Sequence, residues 1–511
     1  MPSAYDKLLK TSKTIALMSS IEGLLDWDQE TYMPKDAIEL RSEQIELLAS
    51  LVHRQRTGKV FVKALSALID METGEVKEDR FTSAQIAALR EWRRDFQKLA
   101  KLPNAFVKTF AKTTSTACHV WKSAKEHNDF KSFVPHLEKI ISLSRKKADI
   151  LGFKEHPYDA LLDLYEPEMK VSILTPLLSK LKLPLTQLLK EIHLKKSFSD
   201  DFLYRYCSRH QQIEFSHKIL HKMGFHPSTS RLDTSAHPFC NGFHPKDTRM
   251  TTKIHPENIM SCIGAVLHEG GHGLYNMNLN SEHYGSPLCQ QVSLGIDESQ
   301  SRWWETLIGQ SYFFWQYFFP LLQEEFPEQF GGIPLDDFYH AINAVKPGFI
   351  RIEADEVTYN LHIIVRFEIE KALIEGALKV KDIPDIWNEK MREYLGITPE
   401  FDAQGCLQDI HWSLGFIGYF PTYTLGNLYS VQFFNSFEKA HANWKERVSQ
   451  GSLDFIRDWL KENIHQYGRQ YTPTELCQKA TGKSLTEEPY INYLKKKYGA
   501  LYRLEGSTQI N

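Results

Sequence analysis

Apolar side chains recur at a period near 3.6 residues through the N-terminal half of the chain. Residues 4–25 carry Leu8, Leu9, Ile15, Leu17, Met18, Ile21, Leu24 and Leu25 on this spacing. Residues 36–52 repeat it with Ile38, Leu40, Ile45, Leu47, Leu48 and Leu51, and it returns over 81–101, 130–151, 173–192 and 202–223. Breakers fall between these runs at Met33-Pro34, Leu102-Pro103-Asn104 and His156-Pro157. That period puts one face of a helix on a core, whereas a half-buried strand alternates every second residue. Only 60–62 and 249–252 suit short strands, so a mainly α fold is expected.

Residues 224–256, with four prolines, form the longest irregular stretch. They divide a helical half, 4–223, from a half carrying the chemistry, 224–506. The length of 511 residues would allow roughly three domains. No Gly/Ser/Pro linker supports a cut, and a single domain over 4–506 is expected. Lys+Arg 61 against Asp+Glu 64 gives no basic field for nucleic acid. No apolar run approaches the ~18 residues of a membrane span, and the N-terminus lacks the apolar core of a signal peptide. The seven cysteines are scattered, with no C-x-x-C pair, which argues against a disulfide framework or a zinc ribbon. A cytoplasmic protein is expected.

The chemistry centres on His268-Glu269-Gly270-Gly271-His272, an H-E-x-x-H pattern. On a helix, residues four apart share a face, so both imidazoles can reach one ion, and Glu269 sits beside a water on it. Pro256 suits the first helical turn, with Glu257 at the positive dipole end. Gly270, Gly271 and Gly273 each cost a helix about 1 kcal/mol relative to Ala, which implies that substrate or another helix approaches closely. A catalytic zinc site takes three protein ligands and keeps one position open. Glu298, 26 residues after His272, is the best third candidate, with Glu282 and Asp297 competing. His217 and His221 are also four apart, but no acid lies between them and Lys218 repels a cation, so they read as a polar helix face.

Beyond this motif, almost the full length resembles the carboxypeptidase Taq family of zinc-dependent carboxypeptidases. Leu25-Asp26-Trp27-Asp28-Gln29, Met33-Pro34 and Arg41 resemble its W-D-Q…M-P…R segment; Tyr158 to Leu162 and Tyr165-Glu166-Pro167 resemble another. In order follow His237-Pro238-Phe239 (H-P-F), Asp247 to Thr251 (D-x-R-x-T), the zinc helix, Ile350 to Asp355 (I-R-x-x-A-D) and Gly405 to Trp412 (G-x-x-Q-D-x-H-W). The family's ligand glutamate sits in H-E-S-Q or H-E-S-G; Glu298 matches it, while Asp297 replaces the His and adds a carboxylate.

The resemblance implies a helical, saddle-like zincin fold with a deep groove, very little sheet and a homodimer. It implies one Zn2+ per chain, replaceable by Co2+, and release of single residues from free peptide C-termini with broad specificity. An oligopeptidase on the same scaffold, or a weakly catalytic peptide-binding protein, are the alternatives. Glu269 is the expected general base and acid. His411 and Tyr423 are the expected oxyanion donors, with Tyr419 a close competitor. Arg351, through its motif, is the first choice for the substrate α-carboxylate because its planar fork pairs with two oxygens; Arg249 is second. Asp355 and Asp409 are expected to orient a ligand histidine or Arg351, and Asp247 to orient Arg249. His237 lines the groove or fixes the turn before Pro238.

Overall fold

In the computed structural model, residues 3–504 are described; residues 505 and 506 of the expected domain lie outside the described residues. Helices dominate. The first, Ala4–Thr31, starts at a reciprocal cap between Ser3 and Asp6. With Ile38–Arg56, Lys59–Leu68 and Ser83–Lys101 it encloses a small core around Leu8, Leu65, Leu68 and Trp92. The strand expected at 60–62 is part of Lys59–Leu68. Phe61, Ala64, Leu65 and Leu68 share its buried face, and three β-prone residues are too few to override that longer helical stripe.

The remaining helices surround a second, far larger core. Phe130–Leu151 has the expected bounds, and 173–192 extends to Val171–His193. The run 202–223 divides into a short turn, Asp201–Tyr204, and a helix, Arg209–Met223, because the Ser208 side chain caps the Gln211 N–H. Within Tyr312–Glu325, Phe314, Trp315, Phe318 and Phe319 are buried, so this aromatic stretch is core.

The irregular stretch 224–256 contains a three-stranded sheet: β1 (Ser230–Thr234), β2 (Cys240–His244) and β3 (Asp247–Thr252). β3 is central, parallel to β1 and antiparallel to β2. The strand expected at 249–252 therefore lies in the middle of the sheet, against the helix Ile259–Asn278. Among the described residues no helix is long and apolar enough to cross a membrane, and all seven cysteines are unpaired.

Candidate metal centre

Both histidines lie on the helix Ile259–Asn278. It begins three residues after Pro256, later than expected. The Asn258 side chain accepts the Ser261 N–H at 3.1 Å and sets the boundary, while the Pro256 carbonyl accepts the Cys207 N–H outside it. The three glycines are contact points. A Cβ on Gly271 would lie 2.6 Å from the Ser301 Cα, and one on Gly270 2.8 Å from the Met223 Cε. A Cβ on Gly273 would meet the Phe225 ring at 3.0 Å. Neighbouring elements therefore account for the close approach that the sequence implied.

The element crossing at Gly271 is the helix Leu294–Arg302, capped by Ser293 and carrying Glu298. On its other side runs the helix Pro421–Ala440, where a Cβ on Gly426 would stand 2.6 Å from the Glu298 Cβ. Helices at both glycines thus confine the Glu298 side chain. Ligand atoms of His268, His272 and Glu298 converge to within 4.8 Å of one another. Glu282 is exposed. Asp297 stands beside Nδ1 of His272 and is not among these converging atoms. His217 and His221 are both exposed and outside this cluster.

This donor set fits a divalent metal. His268 Nε2 lies 3.7 Å from Glu298 Oε2, and tetrahedral bonds of ~2.1 Å would put ligand atoms about 3.4 Å apart. Both outer nitrogens face a carboxylate: His268 Nδ1 hydrogen-bonds Glu305 Oε2 at 2.8 Å, and His272 Nδ1 stands 2.9 Å from Asp297 Oδ1 as a charge pair. Each pairing leaves Nε2 for an ion and makes the imidazole a better donor. Glu305 is held in turn by Arg302 at 2.8 Å, and Asp297 by Gln291 at 2.8 Å.

Negative charge is in excess here. Burial alone would lower the His272 imidazolium, but the Asp297 charge and hydrogen bond and the Glu298 charge outweigh it and raise the ring to about 10. His268 shifts the same way, burial being overcome by Glu305 and Glu298. Burial would raise the Glu305 carboxyl, yet Arg302 and His268 bring it down to about 2. Burial, reinforced by Glu298 and Asp297, raises Glu269 above the usual carboxylate range against the pull of both histidines. A basic carboxylate suits proton transfer near neutrality.

The helix Pro421–Ala440, which packs on Glu298, carries Tyr423, and His411 and Tyr419 gather around that ring. His411 Nε2 is 3.2 Å from the Tyr423 hydroxyl, and the Tyr419 ring centroid is 5.2 Å from that of His411. Burial raises both phenols; the Glu298 charge adds to it at Tyr419, and the Arg351 charge opposes it at Tyr423. Burial lowers His411 to about 4, which leaves it neutral at pH 7. Arg351 is buried, its guanidinium 4.8 Å from the Tyr423 ring centroid. Its Nε and Nη2 donate to Asp409 Oδ1 at 3.0 and 2.8 Å, and Nη1 donates to the Tyr359 hydroxyl at 3.0 Å. Among the described residues three of its five N–H groups are therefore engaged and two remain. Asp409 accepts from Arg366 as well, so one carboxylate bridges two guanidinium groups.

Asp355 behaves differently from the expectation. Its oxygens accept the N–H groups of Lys346, Val357 and Thr358 and the Thr358 hydroxyl. It orders its own loop, leaving neither oxygen for a ligand histidine or Arg351. Arg249 pairs with Asp247 at 3.0 Å and stacks on Trp27 at 4.6 Å, bringing β3 against the first helix. His237 is exposed at a bend, and its carbonyl accepts the Ser235 hydroxyl at 2.6 Å, in keeping with a turn-fixing part. A cavity of about 310 Å³ opens between the first helix and β2. A second, of about 260 Å³, shares Asp95 and Gln290 with it and reaches Tyr165 and Gln291.

Comparison with known proteins agrees with this geometry. Residues 7–498 match the description carboxypeptidase Taq (M32) metallopeptidase. The chain belongs to that family. It is 39% identical to thermostable carboxypeptidase 1 of Thermus thermophilus, over 98% of this chain and 99% of the relative. Identity to carboxypeptidase 1 of Bacillus subtilis is 36%, over 96% and 97%. The solved M32 carboxypeptidase of Deinococcus radiodurans R1 superposes with a TM-score of 0.95 at 34% identity, covering 98% of this chain and all of that one. Metallocarboxypeptidase 1 of Trypanosoma cruzi gives a TM-score of 0.90 at 32% identity, over 97% and 99%. The chain is thus an M32 metallocarboxypeptidase, a peptidase that uses a metal ion.

Sequence reasoning missed several residues of this M32 site. Glu305 lies seven positions beyond Glu298, two turns along the same face, so the helical period already pointed to it. The helix widens into a π-turn over Trp303–Ile308, where Glu305 sits. Gln291, Arg302 and Tyr359 carry no comparable signal, since each acts through contacts between distant segments.

Proposed function

We propose that residues 4–506 act as one zinc carboxypeptidase domain that releases single C-terminal residues from peptides with broad specificity. What supports this reading most is the convergence of His268, His272 and Glu298 with both outer imidazole nitrogens backed by carboxylates. A zinc ion on these ligands would polarise the scissile carbonyl and lower a water's pKa to about 7. Glu269 would accept a proton from the attacking water and return it to the leaving amine. His411, neutral at pH 7, and a phenol of Tyr423 or Tyr419 meet the developing oxyanion. Loss of one such donor commonly costs about 100–1000-fold in rate. Arg351, its plane fixed by Asp409 and Tyr359, offers its two remaining N–H groups to the α-carboxylate of the substrate. Co2+ is the proposed substitute metal, a homodimer the proposed assembly, and the cytoplasm the proposed location.

The test compares an N-blocked peptide as free acid and as C-terminal amide. Carboxypeptidase action predicts cleavage of the acid and near loss of cleavage of the amide. Equal cleavage of both would favour an oligopeptidase and remove Arg351 from its role.

A further inference from the structure

Two stretches that drew attention in the sequence, 158–162 and 165–167, have no part in the chemistry above, yet they touch both walls of the site. Toward the metal, Glu166 is fully buried and accepts the Gly295 N–H at 3.0 Å and the Tyr429 hydroxyl at 3.1 Å. The Tyr165 carbonyl accepts the Leu294 N–H at 3.1 Å. These contacts grip the first turn of the helix that carries Glu298 one turn later, where a carboxylate also meets the positive dipole end. A Cβ on Gly295 would lie 2.5 Å from Glu166 Oε2, so the fit is tight.

Toward the wall formed by His411 and Tyr419, Tyr158 is fully buried and donates to Glu370 at 2.6 Å. Glu370 also accepts the Trp412 indole N–H at 2.8 Å and the Gly418 N–H at 3.0 Å, at the two ends of the loop between His411 and Tyr419. Gly418 has φ +94° and would place a Cβ 2.9 Å from the Leu161 carbonyl carbon. The Tyr165 ring meets the Tyr419 ring edge-on at 5.2 Å.

We propose that residues 158–166 form a brace that sets Glu298 against the His411–Tyr419 wall. Glu166 is the positioning residue for the metal ligand, and Tyr158, acting through Glu370, is the positioning residue for the wall. The proposal rests on Glu298 being the third ligand, so Glu298→Ala is measured alongside. Metal retention is read by competition of Zn2+ and Co2+ with a chelator, and kcat and KM on one free-acid peptide.

Glu166→Gln is expected to weaken metal retention about tenfold, in the range of lost support behind a ligand. Gly295→Ala, which pushes on the same contact from the helix side, should do the same and serves if Glu166→Gln does not fold. Tyr158→Phe should keep metal affinity within about twofold and lower kcat about tenfold with KM nearly unchanged, as for a group needed only in the transition state. Wild-type metal affinity in both Glu166→Gln and Gly295→Ala would overturn the brace, as would an unchanged kcat in Tyr158→Phe. Wild-type affinity in Glu298→Ala would instead overturn the ligand assignment beneath it.

Discussion

Replacing Asp409 by Asn should destabilise the protein more than any other single charge removal discussed above. Its carboxylate serves two buried guanidinium groups. Arg351 approaches at 3.0 and 2.8 Å, and Arg366 donates through Nε at 2.7 Å and Nη2 at 2.5 Å. The side chains of Arg351, Arg366 and Asp409 are 6%, 0% and 12% exposed, so water cannot take over the pairing. Asn keeps one acceptor oxygen and loses the charge, leaving both cations buried without a counter-ion. Breaking a buried pair in this way costs about 3–5 kcal/mol; with two cations on one carboxylate, the upper end is expected. Burial alone would raise the Asp409 carboxyl, but Arg366 and then Arg351 outweigh it and hold it far below its ordinary value of 3.8. A carboxyl so depressed stabilises the fold fully above the unfolded-chain value and loses that contribution as pH falls toward the folded one. The difference between wild type and Asp409→Asn should therefore be constant from about pH 8 to 5, and shrink by about 1.4 kcal/mol per pH unit below roughly 4. Guanidinium unfolding followed by tryptophan fluorescence at several pH values reads it directly. A loss under about 1 kcal/mol at pH 7, the range of exposed pairs, would refute the reasoning, as would a difference that does not shrink in acid.

Three further outcomes are expected. Glu269→Gln should retain its metal while kcat falls at least about 100-fold, the usual contribution of general acid–base catalysis; metal analysis and steady-state kinetics check both. Glu305→Gln should weaken metal retention about 10–100-fold by removing the support behind His268, measured by chelator competition. Gly426→Ala should press the new methyl onto the Glu298 Cβ, lowering stability by about 1–3 kcal/mol and loosening the metal, which thermal unfolding with and without Zn2+ would show.

The helical class was legible because amphipathic stripes extend over many residues: Phe130–Leu151 has the same limits in sequence and structure. Short elements were less legible. Val60-Phe61-Val62 looks like a strand until Ala64, Leu65 and Leu68 are seen to share the buried face of Phe61. The pairing of His268 and His272 could be read from one helix face, and the glycines beside them announced a close neighbour. Spacing made Glu298 the best third candidate, with Glu282 and Asp297 competing, and the family motif matched it. Tertiary packing gives the physical reason, since Gly271 and Gly426 admit helices that confine Glu298 while Asp297 stands beside Nδ1 of His272. Asp355 illustrates the opposite failure: its place in a motif suggested a part in the chemistry, yet both of its oxygens order its own loop.

Anomalous diffraction at the zinc edge, on protein loaded with Zn2+ and freed of excess metal, tests the central assignment most directly. The prediction is one ion per chain, about 2.0–2.2 Å from His268 Nε2, His272 Nε2 and a Glu298 oxygen. An ion held elsewhere, or none retained with those three side chains intact, would contradict it.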